Sequence, residues 1–290
     1  MRLDDDSDRS NVEDRRGSMI PGGPGLKLGL GGTVVVLALS LIFKTDLFAV
    51  LGGPGGGPMA TTSGPVAQSP GGERRAQGET QLEKLAVASF NDAQKVWGAE
   101  LQRRNAAYRP AHLVLFWDQT TSGCGEAESA MGPFYCPSDE RVYLDLGFYR
   151  ELATRFGAPG QFAQAYVVAH ELGHHLQNLL GIEQKVRAAQ RRDPSARNAL
   201  SVRMELQADC FAGVWGKSTQ DRSLLDPGDL ESGLGAASAV GDDRLQKAAT
   251  GRVVPESFTH GSAAQRSHWF RAGFDSGKLE ACDTFAAGSP

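Results

Sequence analysis

Gln161-Phe-Ala-Gln-Ala-Tyr-Val-Val-Ala-His170-Glu171-Leu-Gly-His174-His-Leu-Gln-Asn-Leu-Leu180 is the stretch on which the fold of this chain turns. Phe162, Tyr166, Ala169, Gly173, Leu176 and Leu180 recur at three- and four-residue spacing, the period of a helix with one buried stripe. Gly181, just after the last apolar pair, is placed to end it. His170 and His174 are four residues apart, so they project from one face about a turn from each other. Two imidazoles in that relation can reach one tetrahedral zinc ion, with zinc–nitrogen distances of about 2.0–2.1 Å. Glu171 sits one step round the helix, where it reaches a water at the metal without being a ligand, the place of a general base in metal-assisted hydrolysis. The competing reading is two solvated histidines beside a glutamate. The apolar surroundings disfavour it, as does Gly173, where a partner backbone can approach.

A catalytic zinc takes three protein ligands and keeps one position open. The third is expected from a helix over 194–217, which Asp193-Pro194 is suited to start. Glu205 and Asp209 lie four apart on one face, with Leu206, Cys210, Phe211 and Val214 on the apolar side. Glu205 is the expected ligand and Asp209 the acceptor of the other ring N–H of His170, fixing its tautomer. Asp209 as a ligand, Asp209 in a plain ion pair, and both acids on a solvated face remain open. A third histidine following the motif is excluded, because the chain continues Leu-Gln-Asn-Leu-Leu-Gly.

Further from this centre, an amphipathic helix is predicted over 80–105, strands over 112–117 and 141–146, and helices over 183–192 and 227–248. Few strands followed by many helices is an α+β arrangement, mostly helical with a small sheet. Residues 142–145 read either as a sheet edge that pairs with substrate backbone, which makes Tyr143 a candidate substrate-binding residue, or as a plain core strand. His175 and Gln177 line the cleft or lie on the surface. The 290 residues carry a formal charge of only −4, so there is no basic footprint for a nucleic-acid partner.

The N-terminal part differs in composition. Residues 1–25 are expected to be a disordered cytoplasmic tail. Residues 26–50 hold the run Val34-Val-Val-Leu-Ala-Leu39 and are just long enough for a transmembrane signal anchor, which needs about 20 apolar residues. Arg15, Arg16 and Lys27 before the run, against Lys44 after it, favour a cytoplasmic N-terminus and an exported domain. A cleaved signal peptide competes with this reading. Residues 51–79 are Gly/Pro-rich and read as a flexible linker, which leaves 80–290 as the folded domain.

Four cysteines allow three pairings. The expected one joins Cys124 to Cys136, closing a short loop, and Cys210 to Cys282, tying a helix to the C-terminal tail. Four buried thiols in a reducing compartment are the alternative.

His-Glu-Leu-Gly-His-His-Leu-Gln, Glu-Leu-Gln-Ala-Asp-Cys-Phe-Ala-Gly-Val-Trp, Gly-Asp-Asp-Arg-Leu-Gln, Phe-Thr-His-Gly-Ser-Ala-Ala-Gln-Arg and Asn-Val-Glu-Asp-Arg-Arg together resemble the bacterial "putative neutral zinc metallopeptidase" family of single-pass membrane proteins. The likeness spans nearly the whole chain. It implies a zincin-like, gluzincin-type domain with Zn2+ held by His170, His174 and Glu205, with Glu171 as base and a peptide or protein as substrate. The stretch 258–266 is similar to the threonine–histidine signature of CAAX-type zinc peptidases, which implies that His260 faces the site and stabilises the oxyanion; a surface-loop histidine is the alternative. Arg266 is a candidate to hold that loop or to bind substrate. Two rival functions stay open: a membrane-tethered binding or chaperone-like protein with a structural zinc, and hydrolysis of a non-peptide amide.

Overall fold

The computed structural model describes residues 1–3, 8–16, 70–128 and 132–289. In chain order the elements are β1 (Val12–Asp14), α1 (Pro70–Arg103), β2 (His112–Phe116), β3 (Gln119–Ser122), β4 (Gly125–Glu128), β5 (Phe134–Cys136), β6 (Arg141–Asp145) and α2 (Gly147–Thr154), followed by α3 (Gln161–Leu179), α4 (Ile182–Arg192), α5 (Arg197–Asp221), α6 (Asp229–Ala239), α7 (Asp242–Thr250) and α8 (Ala263–Ser276). The expected α+β class, mostly helical with a small sheet, is what the chain forms.

The main sheet has the order β1-β2-β6-β5, with β1, β2 and β6 parallel and β5 antiparallel to β6. Alternation along the strands divides its side chains between two faces. Leu113, Leu115, Val142 and Leu144 enter the large core under α1 and α3, while Val114, Phe116, Cys136 and Tyr143 form a smaller cluster with Phe134 on the other face. With both faces covered, the strands read as continuous apolar runs. A separate hairpin, β3–β4, lies beside this sheet in the chain and is pinned near its turn by the Cys124–Cys136 disulfide.

The helical layer is centred on α3, which packs against α1, α5 and α6, and on α5, which packs against α8. The crossing of α5 and α8 is made by glycine on both sides. A Cβ on Gly213 would lie 2.0 Å from the Phe270 carbonyl oxygen, and one on Gly273 would lie 1.9 Å from the Cys210 carbonyl oxygen. The second disulfide, Cys210–Cys282, closes the same region, so both cystines are the expected pairs.

Four expectations need correction. The helix predicted from residue 80 begins at Pro70, which takes residues 70–79 out of the expected linker; residues 51–69 lie outside the described residues. The helix predicted over 227–248 is two helices, α6 and α7, because the Asp242 N–H is drawn 2.9 Å to the Gly261 carbonyl and the chain turns there. Residues 142–145 are in β6, an inner strand flanked by β2 and β5, and the edges of the sheet are β1 and β5. Residues 8–16, expected to be part of a disordered tail, are an integral edge of the sheet: Val12, Glu13 and Asp14 pair with Leu113, Val114 and Leu115. Three residues with one apolar side chain carry no local strand signal, and only the exposed edge of β2 makes them a strand. The expected transmembrane segment 26–50 lies outside the described residues, and among the described residues no helix is long and apolar enough to cross a membrane.

Candidate metal centre

The centre is built where α3 meets α5. Gly173 lets the helices close: a Cβ there would stand 3.1 Å from Ala208 Cα. His170 and His174 from α3 and Glu205 from α5 then converge, with one ligand-capable atom of each within 4.8 Å of the others. His170 Nε2 is 3.2 Å from Glu205 Oε2, and His174 Nε2 is 3.5 Å from Glu205 Oε1. Ligands about 2.0–2.1 Å from a tetrahedral ion lie roughly 3.3 Å from one another, so these separations suit zinc.

Each ring is oriented through its other nitrogen. His170 Nδ1 donates to Asp209 Oδ1 at 2.9 Å, as expected for Asp209. His174 Nδ1 donates to Gln177 Oε1 at 2.9 Å, while the Gln177 amide donates to the Met204 carbonyl at 2.7 Å and to Gln207 Oε1 at 3.1 Å. Gln177 is thus a buried ligand-orienting residue, neither cleft-lining nor superficial. Burial holds the His174 pKa below the ordinary imidazole value, and its Nε2 lies 3.5 Å from Glu205 Oε1. Burial opposes a charge on His170, yet Asp209 and Glu205 push its pKa up to about 10, so without metal a proton occupies part of the gap that zinc would fill. Burial likewise opposes ionisation of Glu205, but His174 and His170 hold it well below the usual carboxylate range.

Glu171 is buried in the wall of a cleft of about 820 Å3, whose other lining residues include Phe134, Tyr135, Phe148, Phe156 and Met204. Burial, helped by the charge of Glu205, raises its carboxyl to about 7, and the Tyr135 backbone N–H bonds to it. Edge strand β5 therefore runs directly past the candidate base.

His260 lines the same cleft on a turn built by Asp242. The Asp242 carboxylate accepts the backbone N–H groups of Thr259, His260 and Gly261 at 2.7, 2.7 and 3.1 Å, and His260 Nδ1 lies 3.1 Å from its other oxygen. That bond to Asp242 raises the His260 pKa, and the His260 side chain is half-exposed toward the cleft. Gly261 at φ 92° and a reciprocal Ser262–Gln265 capping box carry the turn into α8.

The model of the "putative neutral zinc metallopeptidase" family matches residues 1–285. The chain belongs to that family. It is 45% identical over 293 residues to "Uncharacterized protein YpfJ" of Escherichia coli, covering 98% of this chain and 99% of that one. It is 46% identical over 212 residues to "Uncharacterized protein Rv2575" of Mycobacterium tuberculosis, covering 69% of this chain and 70% of that one. No solved structure matches the chain.

Tyr143, a candidate substrate-binding residue, is elsewhere than expected. Tyr143 is 1% exposed, stacked on Phe134 with ring centroids 4.8 Å apart, and its hydroxyl donates to Asp139 at 2.7 Å. As a residue of an inner strand it faces the small core and not the cleft. Arg266 is only 4% exposed, although it contributes to the lining of the cleft. Its Nε and Nη2 bond Asp209 at 2.8 and 3.0 Å, Nη2 meets the Tyr166 hydroxyl at 3.2 Å, and Nη1 meets the Val240 carbonyl at 3.3 Å. Its acid is Asp209, so it braces the orienter of His170. His175 is also buried, accepting from the Tyr135 hydroxyl at 2.9 Å and donating to the Arg109 carbonyl at 2.7 Å. Gln177 and Asp242 were not assigned these roles from sequence. Asp242 stands in the quoted Gly-Asp-Asp-Arg-Leu-Gln motif, and the Ser-x-x-Gln spacing of a capping box was legible at Ser262.

Proposed function

We propose that this chain is a zinc-dependent peptidase of zincin-like, gluzincin type that hydrolyses peptide bonds outside the cytoplasm. The observation that carries the reading is the convergence of the His170, His174 and Glu205 ligand atoms beside a buried glutamate in a cleft. Zinc, when bound, polarises the scissile carbonyl and acidifies a water. The rest falls to the chain. Glu171, held near neutrality by burial, takes a proton from the attacking water and returns it to the leaving amine. Asp209 and Gln177 keep both Nδ1 atoms protonated, so that both Nε2 atoms face the metal. His260, with Nδ1 on Asp242, offers Nε2–H to the carbonyl oxygen as negative charge develops there. The free edge of β5 accepts an extended substrate as an added strand. Two cystines support an oxidising compartment.

The test separates base from ligand. Glu171→Gln should keep one zinc per chain and lose turnover by about 100- to 10,000-fold, the range of a general acid–base group. Glu205→Ala should lose zinc on dialysis against a mild chelator. Comparison of exported peptides between wild type and Glu171→Gln then identifies the substrates. Full turnover in Glu171→Gln would remove Glu171 as the base, and absence of turnover in the zinc-loaded wild type would return the site to a structural zinc in a binding protein.

A further inference from the structure

The apolar run 26–50 separates two parts of the chain that are hydrogen-bonded to each other. On its N-terminal side, β1 pairs in parallel with β2, and the ladder extends beyond the strand itself: Leu113 N–H donates to the Asn11 carbonyl and Arg15 N–H to the Leu115 carbonyl, both at 2.8 Å. Side chains repeat the attachment on several elements. Arg141 of β6 reaches Glu13 at 2.6 Å, Arg16 reaches Glu83 of α1 at 2.5 Å, and Asn91 of α1 donates to the Asp8 carbonyl at 2.8 Å. Arg15 Nη1 donates to the Thr121 carbonyl of β3 at 2.8 Å. Strand β2, with Leu113, Val114 and Leu115 fully buried, would be an open sheet edge without β1. On the C-terminal side of the run, α1 starts at Pro70 and belongs to the same core.

A bilayer core about 30 Å thick admits no strand pairing across it. If 26–50 crossed a membrane once, residues 8–16 and β2 would be on opposite sides. The charge argument for a cytoplasmic N-terminus weakens for the same reason. Arg15 and Arg16 are engaged with Glu13, Asp14, Thr121 and Glu83 in the folded domain, so their charges already have partners there.

We infer that residues 8–16 and the metal-site domain occupy the same side of any membrane the chain meets, and that the apolar run 26–50 does not cross it an odd number of times. The inference rests on the strand pairing and not on the peptidase reading.

Because all four native cysteines are paired, a single introduced cysteine is the only free thiol. Ser10→Cys and Arg192→Cys, both at exposed positions, are made separately in the full-length chain and treated with a membrane-impermeant maleimide in intact and in permeabilised cells. The expected result is one labelling pattern shared by both positions. Opposite patterns would overturn the inference. A Glu13→Cys, Arg141→Cys double variant treated with a short bismaleimide gives an independent reading that does not depend on labelling efficiency. A link within one chain is expected. A linked dimer would give the strand to a second copy, and absence of any link would remove the pairing; either overturns the inference.

Discussion

The two sides of the cleft are held in different ways. On the α3–α5 side every polar group behind the metal ligands is buried and bonded to another buried group: Asp209 gathers His170, Tyr166 and Arg266, and Gln177 joins His174 to the backbone of α5. At the rim, on a turn that packs against Val202 and Leu206 of α5, His260 is half-exposed, and one carboxylate, Asp242, holds that turn. The first arrangement fixes ring directions to the accuracy a metal needs, since no bonded atom there exchanges easily with water. The second leaves a polar group exposed in the lining of the cleft. The comparison implies that damage behind the ligands appears in zinc retention, and that damage at the rim appears in turnover.

The sharpest test is His260→Ala. Loss of a donor aimed at the developing oxyanion should lower kcat by about 100- to 1,000-fold, with KM and zinc content nearly unchanged. An equal fall in zinc content would erase the distinction between the two sides, and unchanged kcat would return His260 to an ordinary surface turn.

Next in size is Asp209→Asn. Removing the charge and one acceptor oxygen from the group that orients His170 should weaken zinc binding by about 10- to 100-fold, read by competition with a chelator of known affinity. Arg266→Gln should act in the same direction, because it leaves Asp209 buried without its cation. A rise in KM with zinc affinity intact would instead put Arg266 back on the substrate.

The smallest effect is expected from Asp242→Asn, and it is a displacement along the pH axis. While Nδ1–H is given to Asp242, a neutral His260 has only a lone pair at Nε2 and cannot donate there; donation needs the imidazolium. Turnover should therefore fall as pH rises through the raised pKa of His260, and Asp242→Asn should move that alkaline limb to lower pH. The same linkage acts on stability. The contribution is complete below the ordinary imidazole value of 6.5 and is lost as pH climbs through the raised folded value. A kcat–pH profile and a thermal midpoint series across that range check both signs, and an unmoved limb would mean that another group sets it.

Much of the metal side was legible in the sequence because its signals are local. The four-residue spacing of His170 and His174, and of Glu205 and Asp209, converts directly into position on a helix face. Gly173 marked where another backbone had to approach, and Ala208 of α5 is what approaches. The rim was less legible. The loop 258–266 was singled out, but Asp242, which builds it, lies 18 residues before His260 and carried no local sign of that role. Tyr143 was misplaced for a related reason: an aromatic residue on a strand does not reveal which face is covered until the neighbours are known.

By itself the sequence determined the helical period of α3, the position of His170, Glu171 and His174 on that helix, the four-residue spacing of Glu205 and Asp209, and the α+β class, since each depends on spacing within one element or on the order of elements. The tertiary structure alone decided that β5 is the sheet edge beside the cleft, that Gln177 and Arg266 serve the ligands, and that residues 12–14 close the other edge of the sheet. Those outcomes rest on contacts between segments far apart in the chain. A strand of three residues such as β1 has almost no intrinsic preference for its conformation and adopts it because β2 presents unpaired N–H and C=O groups along its side.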